Sequence, residues 1–551
     1  MAVLNASTFL DYCAYRVSSV DFTAPDAVQQ AFGIKDQRLF KGDTDIGFNV
    51  ALVLRRKQDP TTLLTGDWAS RQRALRELNR TDSLWSTYGA DRQTYDEIRD
   101  TLRRSPYNLK LLTSQDHYVS SAESRTLWVG IRTQADFQNL FGTPLYYSAS
   151  KGLYYWEGEL NLDATLAAAV DGLWLDLVVK APASNLAPGA SATLKQGPQS
   201  IGNAATTDVN LDPQSVGKLY NFPLKGKEVR TGAVGLIEPG VGTYLTGDPE
   251  GTQFEALLSQ YLETIGQAPL NGEGGVHVQG KEGQSSESEN SMGERSLDVG
   301  VAAGVNPNSL LCLYNGSGDL PTGTANATIY TAAQSAIWDT DRNPAVTSNS
   351  YGDYQVMTPQ SPFYNAYSQL FVDAALRNQT TVIALGDGGS GNETANGLTN
   401  VEYNVTQPYN LLVGGTSVSN LASAQVDATL TQPFDGQPAL LPRALAGDPA
   451  ILWQLMRCGL RERPSLQSPG NWLLESAWNT YSVDGFNISS DSAEFYAGYL
   501  DNSTSSGGVD PSQPTPSYQL NYGLAPVTND PYAQPGRGAP DVAINAGGNL
   551  S

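Results

Sequence analysis

Short, continuously apolar or β-branched runs punctuate the second half of the chain, at residues 233–237 (AVGLI), 310–314 (LLCLY), 346–348, 381–385 (TVIAL) and 410–413 (NLLV). Residues 254–264 and 364–377 lie between them with apolar positions at helical spacing. Strands covered on both sides need no polar alternation, so the pattern predicts an α/β domain, a parallel sheet with helices on both faces. The first half reads differently. Residues 45–57, 109–112 and 126–131 predict strands, and Thr94-Tyr-Asp-Glu97 reads as a capping box that turns Ile98 and Leu102 inward. Thr133-Gln-Ala-Asp136 caps a helix that buries Phe137, Leu140 and Phe141, and Gly142 stops it. Strands at 145–147 and 153–156 complete the order of a ferredoxin-like α+β sandwich.

Residues 181–208 carry Pro, Gly, Ser and Ala with hardly a large apolar side chain, the composition of a flexible linker. The expected organisation is an extension at 1–44, a module at 45–180, a linker at 181–210 and a main domain at 211–551.

Composition narrows the classes. Charged residues are 16% of the 551, against a typical share of about 25%, and hydrophobic residues are 40%, so the chain builds a core. Lys+Arg 34 against Asp+Glu 56 leaves a net charge of −22, which repels phosphate backbones and excludes nucleic acid as a partner. An acidic surface also suits work in acid, where its carboxylates are protonated. Cys13, Cys312 and Cys458 support neither a disulfide framework nor a zinc spacing. The most apolar stretch, 162–179, is interrupted by Asp163, Asp171 and Asp176, so no membrane span is expected. The first residues lack the basic and apolar regions of a signal peptide.

Two histidines, His117 in the first module and His277 in a Gly-rich loop, leave little room for a Ser-His-Asp triad. The carboxylates offer more. Glu294 and Asp298 stand four apart, one above the other on a helix face, where mutual repulsion holds one proton to higher pH. Asp387 follows a strand inside a Gly-rich turn, a place from which a protonated acid can donate to an oxyanion.

This combination resembles the sedolisins, the serine-carboxyl peptidases, in their pro-kumamolisin form, from about residue 45 onward. Glu294 and Asp298 match the family's Glu-x-x-x-Asp, and VGVAAGVNPNSLLCLY follows. Asp387 matches the oxyanion aspartate of a Gly-Asp-Ser-Gly segment, with Gly388 in place of its serine. GAVGLIEPG at 232–240 is similar to the first core strand, and its Glu238 matches a glutamate of the wider proton network. Tyr351, in SNSYGD, stands where the family usually has tryptophan. Residues 408–416, Glu475-Ser-Ala-Trp478-Asn479, Ser506-Gly507-Gly508-Val509 and 537–543 follow in family order.

The resemblance implies a subtilisin-like sheet domain behind an inhibitory prodomain, and a linker cut on activation. It implies Glu294 as general base, Asp298 orienting it, Asp387 as oxyanion donor and Glu238 in the network. Tyr351, Gly507, Gly508 and, by a looser match, Glu402 would bind substrate. Polypeptides are the expected substrates, the prodomain the partner in cis, and an extracellular monomer the expected state. Two departures stand against this pattern. Residues 421–472 look inserted, as a partly helical excursion. The family's Gly-Thr-Ser-x-x-x-Pro nucleophile segment and its Ca2+-binding aspartates find no match up to Ser551, and Gly414-Gly-Thr-Ser417 lacks the proline. These 551 residues are therefore expected to be inactive, without a nucleophile or a metal site of their own. A non-catalytic homologue or fragment that binds peptide or its own prodomain is the alternative. A carboxylate-pair glycosidase, suggested by Tyr 27 and Trp 9, leaves the order of modules unexplained.

Overall fold

The computed structural model describes residues 2–4, 29–30, 33–41, 46–148, 150, 153–156, 160–179, 212–220, 222, 232–238, 249–267, 275–279, 289–316, 326–351, 362–386, 401, 406–420, 443, 446, 448–451, 460–461, 473–478, 505–528 and 532–547. The linker at 181–210 lies outside them, as do most of the 1–44 extension and of the 421–472 insertion.

In the first module, β1 (Ile46–Leu54) leads through helices α1 (Trp68–Arg80) and α2 (Arg92–Arg103) to β2 (Lys110–Leu112). β3 (Thr126–Ile131), α3 (Gln134–Phe141), α4 (Ala164–Ala169) and β4 (Val170–Val179) follow. The strands pair antiparallel in the order β2-β3-β1-β4, the ferredoxin-like arrangement. The Thr133–Asp136 capping box forms as expected, and Gly142 ends α3 at φ 69°.

Three local expectations are corrected. Helix α2 starts at Arg92, and its N-cap is Asp91, whose carboxylate accepts from Thr94 N; Thr94 already lies inside the helix. The strands Tyr146–Ser148 and Leu153–Tyr155 join Arg38–Leu39 in a separate small sheet. The fourth strand of the sandwich is β4, inside the stretch that looked like one interrupted apolar run. Its aspartates have structural partners: Asp163 caps α4 through Leu166 N (2.8 Å), and the buried Asp176 accepts from Tyr118 Oη (2.5 Å).

The second module carries α5 (Pro213–Leu219), β5 (Val234–Ile237), α6 (Pro249–Thr264), β6 (Gly275–Gln279), α7 (Glu289–Val305) and β7 (Leu310–Tyr314). Then come α8 (Asn326–Trp338), β8 (Val346–Asn349), α9 (Pro362–Leu376), β9 (Thr380–Ala384) and β10 (Asn410–Asn420). The six strands are parallel, in the order β6-β7-β5-β8-β9-β10. β10 is extended by antiparallel β11 (Leu473–Ala477) and, on its other edge, parallel β12 (Val542–Gly547). His277, read as a loop residue, lies on the edge strand β6. Side chains alternate between two cores. Leu236, Leu311 and Leu313 meet Leu262, Val299 and Ala303 of α6 and α7, while Ile237, Cys312 and Tyr314 join the core of α8 and α9. Helices on both faces of a parallel sheet make a subtilisin-like α/β domain.

The first module packs on the outer side of α8 and α9. Trp174 stacks on Tyr330 at 4.5 Å, and Trp128 Nε1 donates to Gln334 Oε1 (2.9 Å). Gly172 has no alternative here, because a Cβ would come within 2.7 Å of Ala366 N. Asp373 of α9, 1% exposed, meets Arg56 (2.6 Å) and Arg125 (3.4 Å) from the first module. Replacing Asp373 by alanine leaves two guanidinium groups buried without their carboxylate, a loss on the order of 3–5 kcal/mol. The expected result is a clear fall in the urea midpoint of the full chain, larger than for removal of the exposed Glu77–Arg80 pair.

Candidate active site

The order of strands positions the site. β5 lies between β7 and β8, so the chain winds to one side of β5 before α8 and to the other side after it. At such a switch point a crevice opens beyond the carboxyl ends of the strands. Glu238 follows β5 directly, Asn315 follows β7, and Ser350 and Tyr351 follow β8. Ile237 and Asn349 are register partners, so Glu238 and Ser350 leave the sheet side by side. Helix α7 brings the third wall. Val299 and Ala303 press it onto the sheet, which fixes Asp298 beside the strand ends and Glu294 one turn earlier.

Glu238 is fully buried. Burial pushes its carboxyl far above the usual range, and the nearby charges of Asp298 and Glu294 push the same way. Tyr351 Oη donates to Glu238 Oε2 at 3.1 Å, which works against that shift without cancelling it. Asp298 is also raised by burial, while the hydroxyl of Ser350 (3.0 and 3.2 Å to its two oxygens) and Glu238 both donate to it and favour its ionised form. Two carboxyls joined by a hydrogen bond hold one proton between them, and here it resides on Glu238. Such a site keeps a carboxylate and a carboxylic acid in contact over a wide pH range.

The structure thus brings together Glu238, Asp298 and Tyr351, with the charge of Glu294 close enough to act on Glu238. Asp387 and Glu402 lie outside the described residues, as does the side chain of Ser417, whose backbone sits within β10 between β11 and β12. Gly507 and Gly508 belong to a segment tied to the end of β9 by Ser506 N donating to Gly386 O (3.0 Å). Tyr351, expected to touch substrate, spends its hydroxyl on Glu238. Ser350 and Asn349 went unassigned in the sequence reading; their place directly beyond β8 is the signal that marks them. Segments 408–416, 475–478 and 537–543 converge on β10. Thr416 Oγ1 donates to Glu475 (2.8 Å), Trp478 packs against Gly415, and buried Arg537 pairs with Asp541 (2.7 Å), which accepts from Leu412 N (2.8 Å). Among the described residues no group of three His, Cys, Asp or Glu is arranged to hold a metal ion, and no helix is long and apolar enough to cross a membrane.

The α/β domain carries an acid pair at its switch point behind a ferredoxin-like module, and in sequence the chain is related to the sedolisins, the serine-carboxyl peptidases, in their pro-kumamolisin form. It is 26% identical to kumamolisin of Bacillus sp. (strain MN-32) over 538 residues, 95% of this chain and 76% of that protein. Among solved structures it is similar to Pseudomonas sedolisin, a serine-carboxyl proteinase complexed with two molecules of pseudo-iodotyrostatin. The identity is 19%, the TM-score 0.37, and the match covers 61% of this chain and 70% of that one. No protein-family model matches the chain.

The buried proton has a consequence for stability. Glu238 ionises near 4.5 when unfolded and is pushed up to about 9 in the fold. Between those values the folded state holds a proton that the unfolded state has lost. This contribution is therefore complete below about pH 4.5 and drains away as pH rises towards 9. Glu238→Gln is expected to remove up to one proton's worth of slope, about 1.4 kcal/mol per pH unit, from stability measured by urea unfolding between pH 5 and 9.

Proposed function

We propose that the chain is the precursor of an acid endopeptidase of the serine-carboxyl class, acting on polypeptides. The observation that carries this reading is the proton-sharing acid pair at the switch point, with Glu294 one helical turn away. In this reading Glu294 takes the proton of a serine nucleophile as the serine attacks a scissile carbonyl. Asp298, held by Ser350 and Glu238, orients Glu294 and shares the charge. Asp387 donates to the oxygen that becomes negative, and Gly507 and Gly508 offer backbone to an extended peptide. A carboxylate base suits this work because imidazole would be permanently charged in acid.

The first module serves as the inhibitory and activation segment in cis. Its buried contacts with α8 and α9 support that role, since such a surface holds firmly until the connecting chain is cut. An extracellular site of action, as a monomer, agrees with the acidic composition. The second reading is a peptide-binding homologue without turnover. The Gly414–Ser417 segment favours it, because this match to the nucleophile motif lacks the proline and lies within the sheet.

Denatured casein separates the two readings. The 551-residue chain, its connecting segment cut, is expected to bind it at pH 3–5 without cleaving it. A product of the same gene carrying a Gly-Thr-Ser-x-x-x-Pro segment is expected to hydrolyse it. In that product Glu294→Gln should lower kcat by about 10²–10⁴, and Asp387→Ala by about 10²–10³. Near-normal turnover in either variant defeats the assigned role.

A further inference from the structure

Asn315 is the first residue beyond β7, and it stands beside Glu238. Ile237 and Tyr314 are register partners, and Glu238 N donates to Tyr314 O (2.9 Å), so the two strands end in step and Asn315 follows at the level of Glu238. The pleat sets its direction. Leu311 and Leu313 face α6 and α7 while Cys312 and Tyr314 face the other core, so Asn315 returns to the side of α7, where Glu238 meets Asp298. Gly316, at φ 74°, then turns the chain in a conformation that favours glycine. Asn315 is thus a polar wall of the crevice on the β7 side, across β5 from Ser350 and Tyr351 on the β8 side.

The side chain is 4% exposed, and its carbonyl Oδ1 is buried and accepts no hydrogen bond from the described residues. A buried amide oxygen in that state costs the fold stability that leucine, of nearly the same shape, would not. Gln379 Oε1 is also unpaired, but Gln379 precedes β9 at the other end of the sheet, and its Nε2 fastens Pro344 O (2.8 Å). Asn315 instead ends a strand at the crevice, where a bound chain would reach it.

We propose that Asn315 is a specificity-determining residue, whose Oδ1 receives a hydrogen bond from a substrate side chain ending in an N–H or O–H donor, in a subsite beside the acid pair. The inference rests on the reading of the crevice as a site for polypeptides, and it names which side chains that site takes. An apolar side chain of equal length leaves the oxygen buried and unpaired, so it binds less well. The charge held by Asp298 beside Glu238 attracts a donor and repels an ionised carboxylate.

The test incubates the full chain, its connecting segment cut, with a pool of randomised short peptides at pH 3–5 and identifies the retained ones by mass spectrometry. The unaltered chain is expected to enrich donor side chains at one position about tenfold over leucine and methionine. Asn315→Leu is expected to lose that enrichment while still retaining peptide. Asn315→Ser, smaller but still an acceptor, is expected to keep part of it. Without peptide, Asn315→Leu is expected to raise the urea midpoint, because the unpaired oxygen is gone. Equal enrichment in the unaltered chain and in Asn315→Leu overturns the inference alone. Equal loss in Asn315→Leu and Asn315→Ser also overturns it, since shape would then account for the change. A urea midpoint that falls in Asn315→Leu shows that the fold itself uses the amide, and it overturns the inference as well. If the unaltered chain retains no peptide, the inference falls together with the polypeptide reading of the site.

Discussion

Helices α8 and α9 are buried from two sides, and the rest of the molecule is arranged around that fact. Their inner sides cover the parallel sheet, and their outer sides receive β4 and, through Thr126 and Trp128, β3 of the first module. An ordinary surface helix keeps a polar stripe for water. These two instead send their few polar groups across the joint. Gln334 takes the indole N–H of Trp128 and gives to Thr126 Oγ1, Gln369 takes Arg56 Nε, and Asp373 takes both Arg56 and Arg125. Removing the first module would return Trp128, Trp174 and Tyr330, all fully buried, to water. One apolar cluster runs through both modules, so they share that core.

That core also seats the site. With β5 fixed between β7 and β8, the residues after each strand have nowhere to go but the same crevice. A lone carboxylate there would face a desolvation cost of several kcal/mol. The pair avoids most of it by keeping one member neutral: Glu238 holds the proton, and Asp298 collects donors from Glu238 and Ser350. Charge is thus present only where hydrogen bonds support it.

The sequence made the sheet strands plain, since short β-branched runs such as 310–314 are buried on both faces and carry no competing helical period. Helix α8 escaped notice for the opposite reason. NATIYTAAQSAIW is apolar nearly all round because both its sides are covered, so it lacks the amphipathic period that marks a surface helix. Strand β4 was hidden by Asp163 and Asp176, whose buried or capping partners lie far away in sequence at Tyr107 and Tyr118 or in the turn of α4. That Glu294 and Asp298 stand on one helix, a turn apart, was legible from their spacing. Ser350 was not, because a lone serine signals nothing until β8 is seen to end beside β5.

Acid enters the energetics of this fold from two directions. Glu238 favours the folded state while it is protonated, and that advantage fades as pH rises. The helix caps pull the other way. Asp67 and Asp91 are held below the ordinary carboxylate range, chiefly by the backbone N–H of Ser70 and of Thr94, so they stabilise the fold above their unfolded value of 3.8 and lose that support as pH falls through their lowered values. The caps are exposed and belong to the first module, whereas the buried acid belongs to the second. As acidity increases, support is therefore withdrawn from the helices of the first module, while the buried Glu238 at the switch point keeps its proton. That asymmetry weakens the first module before it weakens the site in the second.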